Sequence, residues 1–191
     1  MSAPAKAATN SRSMFADGFT ERRDLEQYFW NQGTVERLMK ALEYTGDCCC
    51  LTTPTLAHKM HETGREETLL DIDTRFEYLP KYRYWDILKP APVDAGNGKP
   101  FHIIVFDPPF FYISLAQLYT AVLEVCKNDT STKLMLGFLK REEPALLKTF
   151  AAFNLKRTNF VLEYATVKEN KWTNYCLFSN VDLPGVKRQT K

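Results

Sequence analysis

The ten residues Phe101-His102-Ile103-Ile104-Val105-Phe106-Asp107-Pro108-Pro109-Phe110 decide how this chain is read. The run from Phe101 to Phe106 is apolar almost throughout, so it shows no polar face to turn toward water. Such a strand belongs inside a sheet that is covered on both sides, as parallel sheets are. Two prolines then stop it, because each fixes its own φ and offers no N–H to a ladder. Asp107 opens the turn. In an open parallel sheet, ligands bind just beyond the carboxyl ends of the strands, which is where Asp107-Pro108-Pro109-Phe110 falls.

Outward from this stretch the chain alternates between strand-like and helix-like patterns. Before it, Cys48–Thr52, Thr68–Ile72 and Tyr82–Ile87 have strand length and apolar or aromatic character, and after it Lys133–Leu139 is a second buried strand. Helical spacing marks 34–44 with Thr34 as N-cap, a helix from Pro54 with Leu56, Ala57 and Met60 on one face, 115–126, and 142–153 with Pro144 in its first turn. Residues 89–99, with two prolines and two glycines, read as a loop. Phe160–Thr166 and Tyr175–Ser179 close the pattern as two consecutive strands, with 170–174 as a hairpin-like connection. The fold class expected is α/β: a seven-stranded, mostly parallel sheet with one antiparallel strand and helices on both faces.

Composition narrows the function. The chain has 191 residues, enough for one domain with a substantial core, and is 45% hydrophobic and 13% aromatic. Residues 1–20 read as a disordered leader, 21–184 as a single domain and 185–191 as a basic tail. Lysine plus arginine against aspartate plus glutamate is 25 against 23, a net charge of +2, so no bulk electrostatic drive toward nucleic acid exists. No apolar run approaches the ~18 residues of a membrane span, and no secretory leader opens the chain. The five cysteines are an odd number, and three of them, Cys48, Cys49 and Cys50, are consecutive. That pattern fits neither a disulfide framework nor a zinc site, and the expected compartment is reducing: nucleus or cytoplasm. His58, His61 and Glu62 lack the zinc-protease spacing and read as a surface helix face, while His102 reads as a core histidine. No metal is expected.

Asp107-Pro108-Pro109-Phe110 resembles the (Asp/Asn)-Pro-Pro-aromatic motif of amino-nitrogen methyltransferases. Gln27-Tyr28-Phe29-Trp30-Asn31-Gln32-Gly33-Thr34, Thr53-Pro54, Asp71-Ile72-Asp73-Thr74-Arg75-Phe76 and Tyr84-Trp85-Asp86 occur in the right order around it. Together, over about 24–180, they are similar to the eukaryotic N6-adenine methyltransferase-like family. That family includes proteins regarded as DNA N6-adenine methyltransferases and the lysine methyltransferases of elongation factor 1-alpha.

The resemblance implies a class I, Rossmann-like methyltransferase fold and S-adenosylmethionine as cofactor. It implies that the Asp107 side chain and the Pro108 carbonyl accept the N–H bonds of the acceptor amine, that Pro109 stiffens the loop, and that Phe110 stacks on a planar base. Phe111, Tyr112 and Trp30 are further candidates for the acceptor pocket, although Tyr28, Phe29 and Trp30 read first as core. Asp71 or Asp73 would bind the ribose hydroxyls and Asp86 the cofactor's adenine amine, each also readable as a plain turn carboxylate. Gln32 and Thr34 match the amino-terminal motif and would close over the cofactor, with Thr34 also readable as an N-cap alone. Where such folds usually carry a glycine-rich turn, this chain has Leu51-Thr52-Thr53-Pro54-Thr55, so Thr52, Thr53 and Pro54 would supply the contacts.

The expected acceptor is N6 of adenine in nucleic acid, DNA ahead of RNA; the alternative is a lysine of elongation factor 1-alpha, and a catalytically silent subunit stands last. With a net charge of +2, nucleic-acid binding would need local patches or a partner subunit. The candidate patches are Lys81 with Arg83, Lys156 with Arg157, Lys168 with Lys171, and Lys187-Arg188-Lys191. If these are scattered, the lysine alternative gains.

Overall fold

A computed structural model describes Met14 and residues 18–190. In chain order the elements are α1 (Gln32–Ala41), β1 (Cys48–Leu51), α2 (Pro54–Glu62), β2 (Thr68–Asp71), β3 (Tyr82–Tyr84), β4 (Ile103–Phe106), α3 (Leu115–Val125), β5 (Lys133–Leu139), α4 (Glu143–Thr149), β6 (Lys156–Arg157) and β7 (Tyr175–Ser179). The strands form one seven-stranded sheet in the order β3-β2-β1-β4-β5-β7-β6. β3, β2, β1, β4 and β5 run parallel, and β7 is antiparallel to both β5 and β6. This is the Rossmann-like plan expected from the sequence.

Alternation along the central strands divides the interior into two cores. Cys48 and Cys50, with Ile103 and Val105, pack with Leu38 of α1 and Leu56 of α2. Cys49 and Leu51, with Ile104 and Phe106, pack with Leu118 of α3 and Leu146 of α4. Three consecutive thiols thus serve two opposite faces, all fully buried and none in a disulfide.

Several local expectations are corrected. α1 begins at Gln32, and its N-cap is Asn31, whose side chain accepts from the Thr34 N–H at 2.9 Å. The Thr34 hydroxyl is committed elsewhere, donating to Glu163 O and accepting from Glu163 N–H. Residues 160–166 are not a sheet strand. Phe160, Leu162 and Tyr164 do alternate inward, but their neighbour is the segment 29–31: Trp30 bridges Tyr164, with Asn31 N–H donating to Glu163 O and Ala165 N–H to Phe29 O, both at 2.9 Å. The strand beside β7 is β6, and a short 3-10 helix over Glu169–Asn174 replaces the expected hairpin turn. The helix expected over 142–153 is α4 followed by a 3-10 turn at Ala151–Phe153.

His102 is exposed and precedes β4 rather than lying in the core. His58 is buried rather than on a surface face, bonded through Nδ1 to the Tyr78 hydroxyl at 2.6 Å. Within the segment expected to be a disordered leader, Met14 is buried and Phe19 stacks on Phe76 at 5.2 Å; residues 1–13 and 15–17 lie outside the described residues. The expected basic tail is pinned beside β6 by a Thr158–Arg188 bridge and by Gln189 N–H donating to Arg157 O. No described helix is long and apolar enough to cross a membrane.

Candidate active site

The carboxyl ends of β1, β2, β3 and β4 open into one cavity of about 360 Å³, and the segment 24–30 forms a further wall. The sequence-predicted residues that line it are Trp30, Thr52, Thr53, Pro54, Asp71, Asp86, Asp107, Pro108, Pro109, Phe110 and Tyr112. Gln32, Thr34, Asp73 and Phe111 do not. Gln32 bonds Glu36 and borders a separate small cavity of about 30 Å³.

The turn after β1 shows how the chain manages without glycine. Thr52 adopts φ 55°, a left-handed conformation that costs a β-branched residue energy and is held only where the surroundings insist on it. Its N–H donates to Leu70 O at 2.9 Å and its hydroxyl to Asp107 O at 3.0 Å. The strained turn and the Asp107 loop are therefore tied to each other.

β2 delivers two acids to two different tasks. Asp71 is buried at the cavity wall, where Oδ1 accepts from Asp73 N–H at 2.8 Å, and burial pushes its carboxyl up to about 7. Asp73 is 0% exposed and does not line the cavity. Burial raises it too, but hydrogen bonds from Arg75 and Gln27 outweigh that and leave it below the ordinary value. Arg75 also donates to Thr20 O and to the Gln27 side chain, both at about 3 Å. Asp73 thus anchors the segment that walls the cavity. After β3, Asp86 accepts from Leu88 N–H at 2.9 Å, and Trp85 donates through its ring to Ala91 O.

At the end of β4, burial holds the Asp107 carboxyl well above its ordinary value, opposed by a hydrogen bond from the Tyr164 hydroxyl to Oδ1 at 3.1 Å. Neither Tyr164 nor Gly137 of β5 belongs to the expected site. A Cβ at Gly137 would stand 2.7 Å from the same Oδ1, so only glycine leaves room there. A glycine inside the apolar run KLMLGFL is a legible mark of close approach; what approaches it is not legible. Phe110 is drawn into the core against Phe138 and Tyr175, leaving Phe111 and Tyr112 as the exposed rings, 63% and 59% accessible. Glu26, also absent from the expected site, lines the cavity with φ 51° and accepts from Phe111 N–H at 2.9 Å, which tethers that loop.

Five lining residues carry carboxyl groups, Asp24, Glu26, Asp71, Asp86 and Asp107, and none is a lysine, arginine or histidine. Two candidate basic patches lie apart, Lys81 and Arg83 beside or in β3 at one edge of the sheet and Lys156 and Arg157 in β6 at the other, while Lys168 and Lys171 belong to the 3-10 segment before β7. Arg157 pairs with Glu143 and Arg188 with Asp182. Lys191 lies outside the described residues. Among the described residues no group of histidine, cysteine, aspartate or glutamate is placed to hold a metal ion. A buried carboxyl at the β2 end, an apolar wall of Ile72, Trp85, Ile87 and Leu88, and a lining free of basic side chains suit a ligand with ribose hydroxyls, a planar ring and a positive sulfonium. S-adenosylmethionine has all three.

Comparison with known proteins agrees. No curated protein matches the chain. Among solved structures, a branched-chain polyamine synthase mutein from Thermus thermophilus, in complex with N4-aminopropylspermidine and 5'-methylthioadenosine, is similar with a TM-score of 0.59 and 15% identity, over 93% of this chain and 65% of that one. The PH0226 protein of Pyrococcus horikoshii gives 0.47 and 16% over 77% and 86%, and a TehB-like SAM-dependent methyltransferase of Corynebacterium glutamicum gives 0.48 and 12% over 82% and 88%. At such identities the first of these likenesses speaks to the fold alone, and the other two carry no weight. The sequence model of the family described as probable N6-adenine methyltransferase matches residues 21–182. The chain belongs to that family, and with it to the S-adenosylmethionine-dependent methyltransferases.

Proposed function

We propose that the chain methylates the side-chain amine of a lysine in a protein substrate. The observation that carries this reading is the make-up of the cavity lining: five carboxyl groups, of which Asp24 is paired with Arg22 and Asp71 and Asp107 are raised by burial, and no basic side chain. A lysine ammonium is attracted into such a cavity, whereas a phosphate backbone is repelled from it. The adenine acceptor, first in the sequence reading on the planar-amine fit of the motif, needs phosphate contacts from local patches or a partner, and two of the candidate patches, Lys81 with Arg83 and Lys156 with Arg157, stand at opposite sheet edges.

When bound, S-adenosylmethionine supplies an electrophilic methyl group on sulfur. In this proposal Asp71 holds the ribose hydroxyls, Asp86 the adenine amine, and Thr52, Thr53 and Pro54 the methionine end. Asp107, in its carboxylate form, takes a proton from the incoming ammonium, and the burial that raises its carboxyl makes that carboxylate a stronger base. The Pro108 carbonyl accepts a remaining N–H, so the nitrogen lone pair faces the methyl group, and Tyr112 walls the alkyl stem. Gln32 and Thr34, outside the cavity, have no part in it.

The exposed rings of Phe111 and Tyr112 favour a second reading, in which a planar adenine stacks at the mouth. That reading, on DNA in the nucleus, calls for a partner subunit to carry the phosphate contacts; the lysine reading on elongation factor 1-alpha places the work in the cytoplasm. The test offers labelled cofactor to duplex DNA, RNA and elongation factor 1-alpha side by side. Label is expected in lysine. Label in N6-adenine overturns the lysine reading, and failure to bind the cofactor supports a silent subunit.

A further inference from the structure

Among the described residues the Asp107 carboxyl has one side-chain hydrogen bond, from Tyr164 to Oδ1. Tyr164 is 1% exposed, and phenylalanine would fill the same core volume, so its hydroxyl is a polar group buried for a reason other than packing. Gly137 independently marks the same oxygen, since the β5 backbone is bare where Oδ1 lies against it. Oδ1 is thus fixed from two sides, and Oδ2 carries no protein hydrogen bond among the described residues at a residue that lines the cavity.

We propose that Tyr164 is the positioning residue of the methyl transfer, its hydroxyl locking the Asp107 carboxyl so that Oδ2 is the oxygen presented to the acceptor amine. The inference rests on the role given to Asp107 in the proposed function. Its backbone setting adds a condition. Tyr164 bridges Trp30, and the flanking bonds join 163–165 to 29–31, where Phe29 and Trp30 are themselves cavity wall. The carboxyl is therefore aligned only when that wall is seated.

Tyr164→Phe, with Asp107→Asn beside it, tests this. Measurements are S-adenosylhomocysteine titration, steady-state kinetics on the acceptor that takes the label, the pH profile of kcat, and the titration of the Asp107 carboxyl carbon by NMR. In Tyr164→Phe the cofactor affinity and acceptor KM are expected to stay within about threefold, while kcat falls about tenfold or more, the size of a lost bond to a charged group. The acidic limb of the profile and the Asp107 titration are expected to move to higher pH, because the lost donor favoured the carboxylate. A folded Tyr164→Phe protein with unchanged kcat and an unmoved Asp107 titration overturns the proposal, as does a loss confined to thermal stability. Full activity in Asp107→Asn removes instead the reading on which it rests.

Discussion

Asp71 and Asp73 stand two positions apart, and their pKa values are driven in opposite directions. That divergence gives a pH prediction. The Asp71 carboxyl, raised to about 7, is disfavoured as an anion in the free protein, so its contribution to stability is greatest below its ordinary pKa and falls as pH rises toward 7. Ribose hydroxyls donate to the anion, so cofactor affinity has the opposite slope. S-adenosylhomocysteine is expected to bind up to about fivefold more weakly at pH 6 than at pH 7, releasing a proton as it binds, and to show little change above pH 8. Calorimetry in two buffers of different ionisation enthalpy checks both, and Asp71→Asn should abolish the dependence. The sequence places an acidic pair at the end of a strand. It cannot divide their work, because which acid faces the cavity depends on Arg75 and Gln27, 48 positions apart, closing on Asp73.

At the scale of elements, the least legible feature is the segment 20–30. It has only a 3-10 turn at Arg23–Leu25, and its place is set by bonds to distant residues, Arg75 on Thr20 and Gln27 and Glu26 on Phe111, with Glu21 bracing Phe29 from within. Arg75→Ala leaves Asp73 buried without its cation, so a loss of about 2–3 kcal/mol in urea unfolding is expected, with faster amide exchange over 20–30 and weaker cofactor binding. Wild-type exchange in that segment would contradict the anchoring role. The central strands were legible because fully buried strands are written as apolar runs. The alternation of Phe160, Leu162 and Tyr164 was equally real, but it reports burial of a face and not the identity of the neighbouring backbone.

For the whole molecule, a net charge of +2 becomes informative once its distribution is known: carboxyl groups and no basic side chain line the cavity, and the candidate basic pairs stand outside that lining. Non-specific duplex DNA is expected to bind weaker than about 100 µM at about 150 mM salt, by fluorescence anisotropy. Submicromolar affinity would mean that the dispersed cations act together, and would restore the nucleic-acid reading. Fold class and the Asp107 loop were legible because both are local in sequence. Tyr164 and Gly137 were not, since their meaning arises only where distant strands meet one carboxyl. The pairing of 29–31 with 163–165 has a consequence for biosynthesis. Asn31 and Glu163 are 132 residues apart, so during N-to-C synthesis the early segment waits for its partner until the central sheet has been made. Until then the cofactor wall of a nascent chain is held only by its earlier partners, Asp73, Arg75 and Phe111, and lacks the backbone pairing that links it to Tyr164.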